Sequence, residues 1–284
     1  MAKGHSTTEP TWIARRGWRE QFPENSLEGI KAALEAGVTH ISCDVQVTYD
    51  RVPVLLHDHT IDRTGWVEPY EVVRKAGAGD DDDASAESSD ETITEQDDST
   101  VITDIPSSAL DKVFIGEPDR FGDKFKKVNI PTLSQIVELF ADYPDAFLFV
   151  EIKPHSCERY KLKKVVTPVL EAIAPLGERA VMLSILTSVL KRARGDGFDQ
   201  LGWVVGSGDA QGRMIAELIE PKFLFGSVKK MPSDKDLWAG PWQWVAFEID
   251  DLKTAEAWVA RGARFFESFK APELKEQWSQ RQAA

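Results

Sequence analysis

Four short stretches of this 284-residue chain carry side chains whose type and spacing suit chemistry on a charged ligand. Arg15 and Arg16 stand before Gly17, Ser42 is two residues before Asp44, His57 precedes Asp58, and Glu151 is two residues before Lys153. In an extended segment residues i and i+2 share a face, so Asp44 lies with Ser42 and Lys153 with Glu151, while Cys43 points the other way. Two carboxylates from neighbouring strands can bind a hard divalent cation through oxygen, and Arg with Lys can hold phosphate oxygens. The same groups could equally close into a structural salt-bridge network.

Such residues must be positioned by the elements that carry them. Runs rich in β-branched and apolar residues alternate with runs of helical period along almost the whole chain, which means α/β. The strand candidates are 11–15, 40–47, 146–153, 179–185, 201–206, 222–227, 243–249 and 263–268. Helical stretches follow them, as in SLEGIKAALEAG, where Ser26 suits an N-cap and Gly37 a C-cap. Eight strands each followed by a helix predict a closed (β/α)8 TIM barrel, whose usual size of about 250 residues fits this chain. In that fold the reactive side chains come from the C-terminal ends of the strands, where the four stretches fall. VPVLLHD (52–58) reads as an antiparallel excursion from the second strand that delivers His57 to the mouth.

Residues 65–130 interrupt the alternation as an insertion after the second strand. Its middle, 76–100, is acidic and low in aromatics, a composition expected to stay disordered. Residues 1–10 are expected to be a flexible N-terminus, leaving 11–284 as a single barrel domain. The formal charge is −13, and ten acids between Asp80 and Asp98 account for most of it. No basic footprint is concentrated elsewhere, so nucleic acid is not an expected partner. Cys43 and Cys157 are too few for a disulfide framework and read as packing residues. No apolar run is long enough to span a bilayer and the N-terminus lacks a signal-peptide pattern, so the expected location is cytoplasmic.

Taken in order, IARRGWREQFPENSLEGIKAALEAG, ISCDVQVTYDRVPVLLHDHTIDRT and IPTLSQIVELF with FLFVEIKP resemble the glycerophosphodiester phosphodiesterase family. The likeness continues more weakly through VMLSI and FEIDDLKTAEAWVARGARFFESF. It implies a TIM barrel with a small insertion after the second strand. It also implies hydrolysis of glycerophosphodiesters to glycerol phosphate and an alcohol, a reaction of lipid metabolism. Members typically hold a divalent cation, Mg²⁺ or Ca²⁺, with carboxylates of an E-x-D pair and an E-I-K motif, and use two His as general acid and base. Arg16 matches the phosphate-binding Arg of the family's H-R-G motif, Glu24 and Asn25 match P-E-N, and Asp44 matches the Asp of E-x-D. His57 matches the second catalytic His, and Glu151 and Lys153 match E-I-K.

Departures accompany these matches. Arg15 stands where the first catalytic His belongs, and Ser42 where the Glu of E-x-D belongs. An Arg cannot act as a general base at neutral pH, and Ser is a poor substitute for a carboxylate on a hard cation. Three accounts compete. The chain is an altered or weakened hydrolase in which Glu248 or Glu267 replaces the lost metal ligand; or Arg15, Arg16 and Lys153 bind a phosphorylated or anionic small molecule without hydrolysis and without a metal; or Arg15 pairs with Glu248 or Glu267 for other chemistry. His155 continues the face of Glu151 and Lys153 and could serve as a spare acid or base, whereas His40, nearer the barrel floor, reads as structural. Trp242 and Trp244 could line the mouth or a dimer contact. Gly206, Gly208 and Gly212 read as a strand-to-helix turn, one residue off a dinucleotide fingerprint.

Overall fold

The computed structural model describes residues 10–75, 92–97, 99–232 and 236–283. Eight parallel strands close on themselves: β1 (Thr11–Arg15), β2 (His40–Val47), β3 (Phe147–Ile152), β4 (Ala180–Ser184), β5 (Leu201–Val204), β6 (Phe223–Ser227), β7 (Gln243–Phe247) and β8 (Phe265–Ser268), with β8 returning to pair with β1. The barrel is therefore the one the alternating pattern predicts, and each strand lies within its expected run. Alternate side chains fill the interior, where Ile13, Phe149, Val181, Leu183, Phe225 and Val245 form one buried cluster. The opposite faces pack against the surrounding helices in a second, larger core. Pairing register sets which polar side chains meet above the interior cluster: Arg15 opposes Ser42, Asp44 opposes Glu151, and Glu267 lies between Ile13 and Phe247.

The helices of seven residues or more are, among the described residues, α1 (Leu27–Glu35), α2 (Leu133–Leu139), α3 (Leu162–Ile173), α4 (Thr187–Gly195), α5 (Ala210–Ile219), α6 (Leu252–Ala260) and α7 (Ala271–Ala283). Ser26 caps α1 by accepting from the Gly29 amide, and Gly37 follows the last turn at φ +79°, a conformation glycine adopts without a Cβ penalty. Thr132 and Gln135 form a reciprocal capping box on α2. Asp209 caps α5 through the Gly212 amide, so the glycines between β5 and α5 serve a strand-to-helix turn.

The expected helix after every strand is not found after β6. Among the described residues of 228–242 there is none, and Pro232, Gly240 and Pro241 in that segment oppose one. Trp242 and Trp244 are buried there, each donating its indole N–H to the Trp238 carbonyl at 3.0 Å, and so do not line the mouth.

Between β2 and α2 the chain leaves the barrel. A short strand, Pro53–Leu55, runs antiparallel to β2 as expected, and a separate buried cluster follows, built from Val54, Leu56, Ile61, Ile102, Ile105, Val113 and Ile115 among others. The insertion thus has a core of its own. Within the stretch expected to lack order, Thr92–Asp97 is extended and pairs antiparallel with Tyr70–Lys75. Thr and Ile in TITEQD and Tyr and Val in YEVVRK supply the strand propensity that the surrounding acids obscure. The run Asp80–Asp83 and the expected flexible residues 1–9 lie outside the described residues.

Candidate active site at the barrel mouth

A cavity of about 410 Å³ opens at the C-terminal ends of the strands. Arg15, His57, Glu151, Lys153 and Glu267 line its charged side, and Leu183, Val204, Phe225 and Phe247 line an apolar side. The end of β1 shapes the floor. Arg16 and Gly17 adopt φ +57° and +76°, which turns the chain sharply and sends the Arg16 side chain beneath the cavity. A non-glycine residue held there is strained, and the strain is sustained by backbone hydrogen bonds from Arg16 to the Ser42 carbonyl and from Asn25 to the Arg16 carbonyl.

Asp44, buried and not among the lining residues, is the centre of the ion pairs on the charged side. Arg16 Nε lies 2.7 Å from its Oδ2, Lys153 Nζ lies 3.5 Å from Oδ1, and Asn25 Nδ2 donates to Oδ2 at 3.2 Å. Burial alone would raise the Asp44 carboxyl, but the two cations outweigh it and hold the group well below the usual carboxylate range. Lys153 also meets Glu151 at 3.0 Å. Burial pushes the Glu151 carboxyl up, and repulsion from Asp44 pushes it further.

Glu24 and Asn25 lie under this layer. The Glu24 carboxylate is almost wholly buried and takes Arg16 at 3.1 Å, Arg19 at 2.7 Å and Arg63 at 2.5 Å, so it fixes guanidiniums and does not line the cavity. Arg63 also holds Asp58, whose other oxygen meets His57 Nδ1 at 2.6 Å. A carboxylate only accepts, so Nδ1 carries the proton and Nε2 is the imidazole's basic nitrogen. Burial draws the His57 pKa below its ordinary value, which keeps the ring neutral at pH 7.

Arg15 and Ser42, the two positions expected to depart from the motif, both meet Glu267. Ser42 Oγ donates to Glu267 Oε1 at 2.5 Å, and Arg15 Nε lies 3.6 Å from Glu267 Oε2. The Arg15 guanidinium also sits 5.2 Å from the Phe247 ring centre and 5.0 Å from that of Phe269. Burial raises the Glu267 carboxyl above its ordinary range despite the neighbouring Arg15. Glu248, by contrast, bonds to Ser227 and Lys229 and is not among the cavity-lining residues.

Sequence reasoning named most of these groups, His155 and Asp58 among them, but missed His59, Arg63 and the two rings beside Arg15. His59 and His155 both line the cavity with their rings 5.1 Å apart, so three imidazoles face it, counting His57. Asp58 and Arg63 set the His57 tautomer, and Phe247 and Phe269 flank Arg15. The signal for His59 and Arg63 lay in their closeness to His57 in HDHTIDRT, whereas nothing local marks a contact of the two phenylalanines with Arg15. His40 stacks on Phe147 at 4.8 Å, lies away from this cavity and is drawn down to a pKa of about 4 by burial.

The donor set was tested against the divalent cation that the resemblance implies. Asp44 is occupied by Arg16, Lys153 and Asn25, Glu151 by Lys153, and Glu267 by Arg15 and Ser42. Among the described residues no three Asp, Glu, His or Cys side chains are grouped so as to hold a metal ion. As arranged, these carboxylates do not fit a divalent cation, because a protein cation already stands at each.

Comparison with known proteins places the arrangement in context. Residues 16–187 match the Glycerophosphoryl diester phosphodiesterase family. A glycerophosphodiester phosphodiesterase of Caldanaerobacter subterraneus subsp. tengcongensis is 31% identical over 147 residues, covering 50% of this chain and 44% of that protein. Glycerophosphodiester phosphodiesterase 1 of Bos taurus is 25% identical over 182 residues, 64% of this chain and 44% of that protein. The chain thus spans under half the length of each of these relatives. Among solved structures, an Oleispira antarctica phosphodiesterase in complex with the product sn-glycerol-3-phosphate superposes with a TM-score of 0.74 at 20% identity, over 96% of this chain and 97% of that one. A glycerophosphodiester phosphodiesterase from Parabacteroides distasonis gives 0.68 at 17% identity, over 97% and 100%. At such identities the structural likeness establishes the fold.

Proposed function

Because the chain belongs to the glycerophosphoryl diester phosphodiesterase family, we propose that its barrel mouth binds the phosphate of a glycerophosphodiester and hydrolyses it slowly, with His57 as general base. The observation that carries this reading is the convergence of Arg15, Lys153 and the Asp58-oriented His57 on one cavity. Arg15 and Lys153 supply N–H donors for phosphate oxygens, and the buried Arg16 adds positive potential from below. Neutral His57 accepts the proton of the attacking hydroxyl at Nε2, and Asp58 stabilises the imidazolium that forms. Arg15 stands where an imidazole on β1 would protonate the leaving alcohol, so the leaving oxygen takes its proton from water. Turnover slower than that of a two-histidine site follows. No step runs through a metal, because the carboxylates that would hold one are already paired.

A second reading is favoured by the Arg15–Glu267 pair: a site that holds a phosphorylated small molecule and does not turn it over. Release of alcohol from a glycerophosphodiester panel, with calorimetric binding of sn-glycerol 3-phosphate alongside, separates the two. Slow release that His57→Gln abolishes while binding persists supports the hydrolase. Binding with no release supports the second reading. Neither binding nor release overturns both.

A further inference from the structure

We infer that the guanidinium of Arg15 does the work of a divalent cation at this mouth, so that a phosphate ester binds here without metal. The inference rests on the phosphate-binding reading above and concerns which positive charge holds the ligand.

The charge arrangement leads to it. Three acids, Asp44, Glu151 and Glu267, gather at the ends of β2, β3 and β8, and three bases, Arg15, Arg16 and Lys153, meet them at 2.7 to 3.6 Å. The protein thus neutralises its own carboxylates. A dication entering between them would have to displace ammonium or guanidinium groups whose charges it would then repel at a few ångströms, in a setting of low dielectric.

Arg15 and Lys153 are the bases of this set that line the cavity, and Arg15 is held from several sides. Glu267 meets its Nε edge, Ser42 fixes the Glu267 carboxylate by donating to the other oxygen, and the rings of Phe247 and Phe269 flank the guanidinium. Arg15 lines the cavity, so its Nη edge is the part available to phosphate oxygens, a planar fork that matches a phosphate's geometry. The two sequence departures explain each other. A Glu at position 42 would put a further carboxylate where the Glu267 carboxylate already meets Ser42, whereas Ser42 leaves that space to Glu267, and Glu267 in turn needs a cation, which Arg15 provides.

The test uses the full chain, with sn-glycerol 3-phosphate and inorganic phosphate as probes in titration calorimetry, after dialysis against EDTA and again with Mg²⁺ or Ca²⁺ added. The expected result is a dissociation constant that agrees within about twofold across the three conditions, and a loss of about tenfold or more in Arg15→Met under EDTA, about 1.4 kcal/mol. Affinity at least tenfold tighter with either metal than with EDTA overturns the inference while leaving the binding reading intact, as does unchanged affinity in Arg15→Met. Absence of binding in every condition removes the binding reading itself, and the inference falls with it. The metal comparison needs no variant, so it decides even where Arg15→Met fails to fold.

Discussion

Arg16 carries stability at this site through two buried ion pairs. It is only 7% exposed and joins Asp44 to Glu24, both still more buried. Removing one partner of a buried pair leaves the other charge uncompensated, so Arg16→Ala should cost about 3 kcal/mol in urea unfolding, well beyond what a surface Arg→Ala would cost. His40 gives a distinct signature in pH. Burial lowers its pKa from 6.5 to about 4, so between those values the unfolded chain binds a proton that the folded chain does not. Stability attributable to this group is therefore full above pH 6.5 and declines as pH falls towards 4, by about 3 kcal/mol at most. His40→Gln should flatten the stability profile between pH 6.5 and 4, and an unchanged slope there would show that His40 is not its source.

At the scale of elements, the turn between β1 and α1 fixes the geometry of the site. Gly17 has φ +76°, and a Cβ built on it would stand 2.8 Å from the backbone of Gly29 and Ile30, which no flexible side chain can relieve. Gly17→Ala should therefore destabilise by about 2 kcal/mol or more and weaken phosphate binding together with stability, since Arg16 and Asn25 are set by the same turn. The helix and strand limits were largely legible beforehand. Ser26 and Asp209 announce their helices by cap chemistry, and the eight apolar runs announce the strands. The segment after β6 departs from the regular repeat that the alternation predicts, because Pro232, Gly240 and Pro241 oppose a helix there. The strand Thr92–Asp97 was hidden because composition averages over an acidic window and cannot see a hairpin partner some twenty residues away.

For the molecule as a whole, the insertion is tied to the mouth through its first residues. Leu56 and Ile61 are buried in its core on either side of His57 and Asp58, and Arg63 reaches back to Glu24. Loss of packing in that core should therefore be felt at the site. Ile105→Ala, at a fully buried position, should cost about 3 kcal/mol, and hydrogen exchange should show faster opening at Ile61 and Ile115 than at β2 and β3. If protection falls equally in the barrel strands, the insertion and barrel open as one unit, and a separate insertion core is the wrong description.

The sequence by itself determined the α/β alternation, the number of barrel strands, the caps, and the one-face spacing of Ser42 with Asp44 and of Glu151 with Lys153. These are local properties, set by side-chain period and by hydrogen bonds within a few residues. Tertiary structure alone decided that Glu267 meets Arg15 and Ser42, that three arginines surround Glu24, and that His59 stands beside His155. The physical reason is closure of the barrel. It brings β8 against β1 across some 250 residues of chain, and which charges then neutralise one another depends on distances that no local pattern encodes.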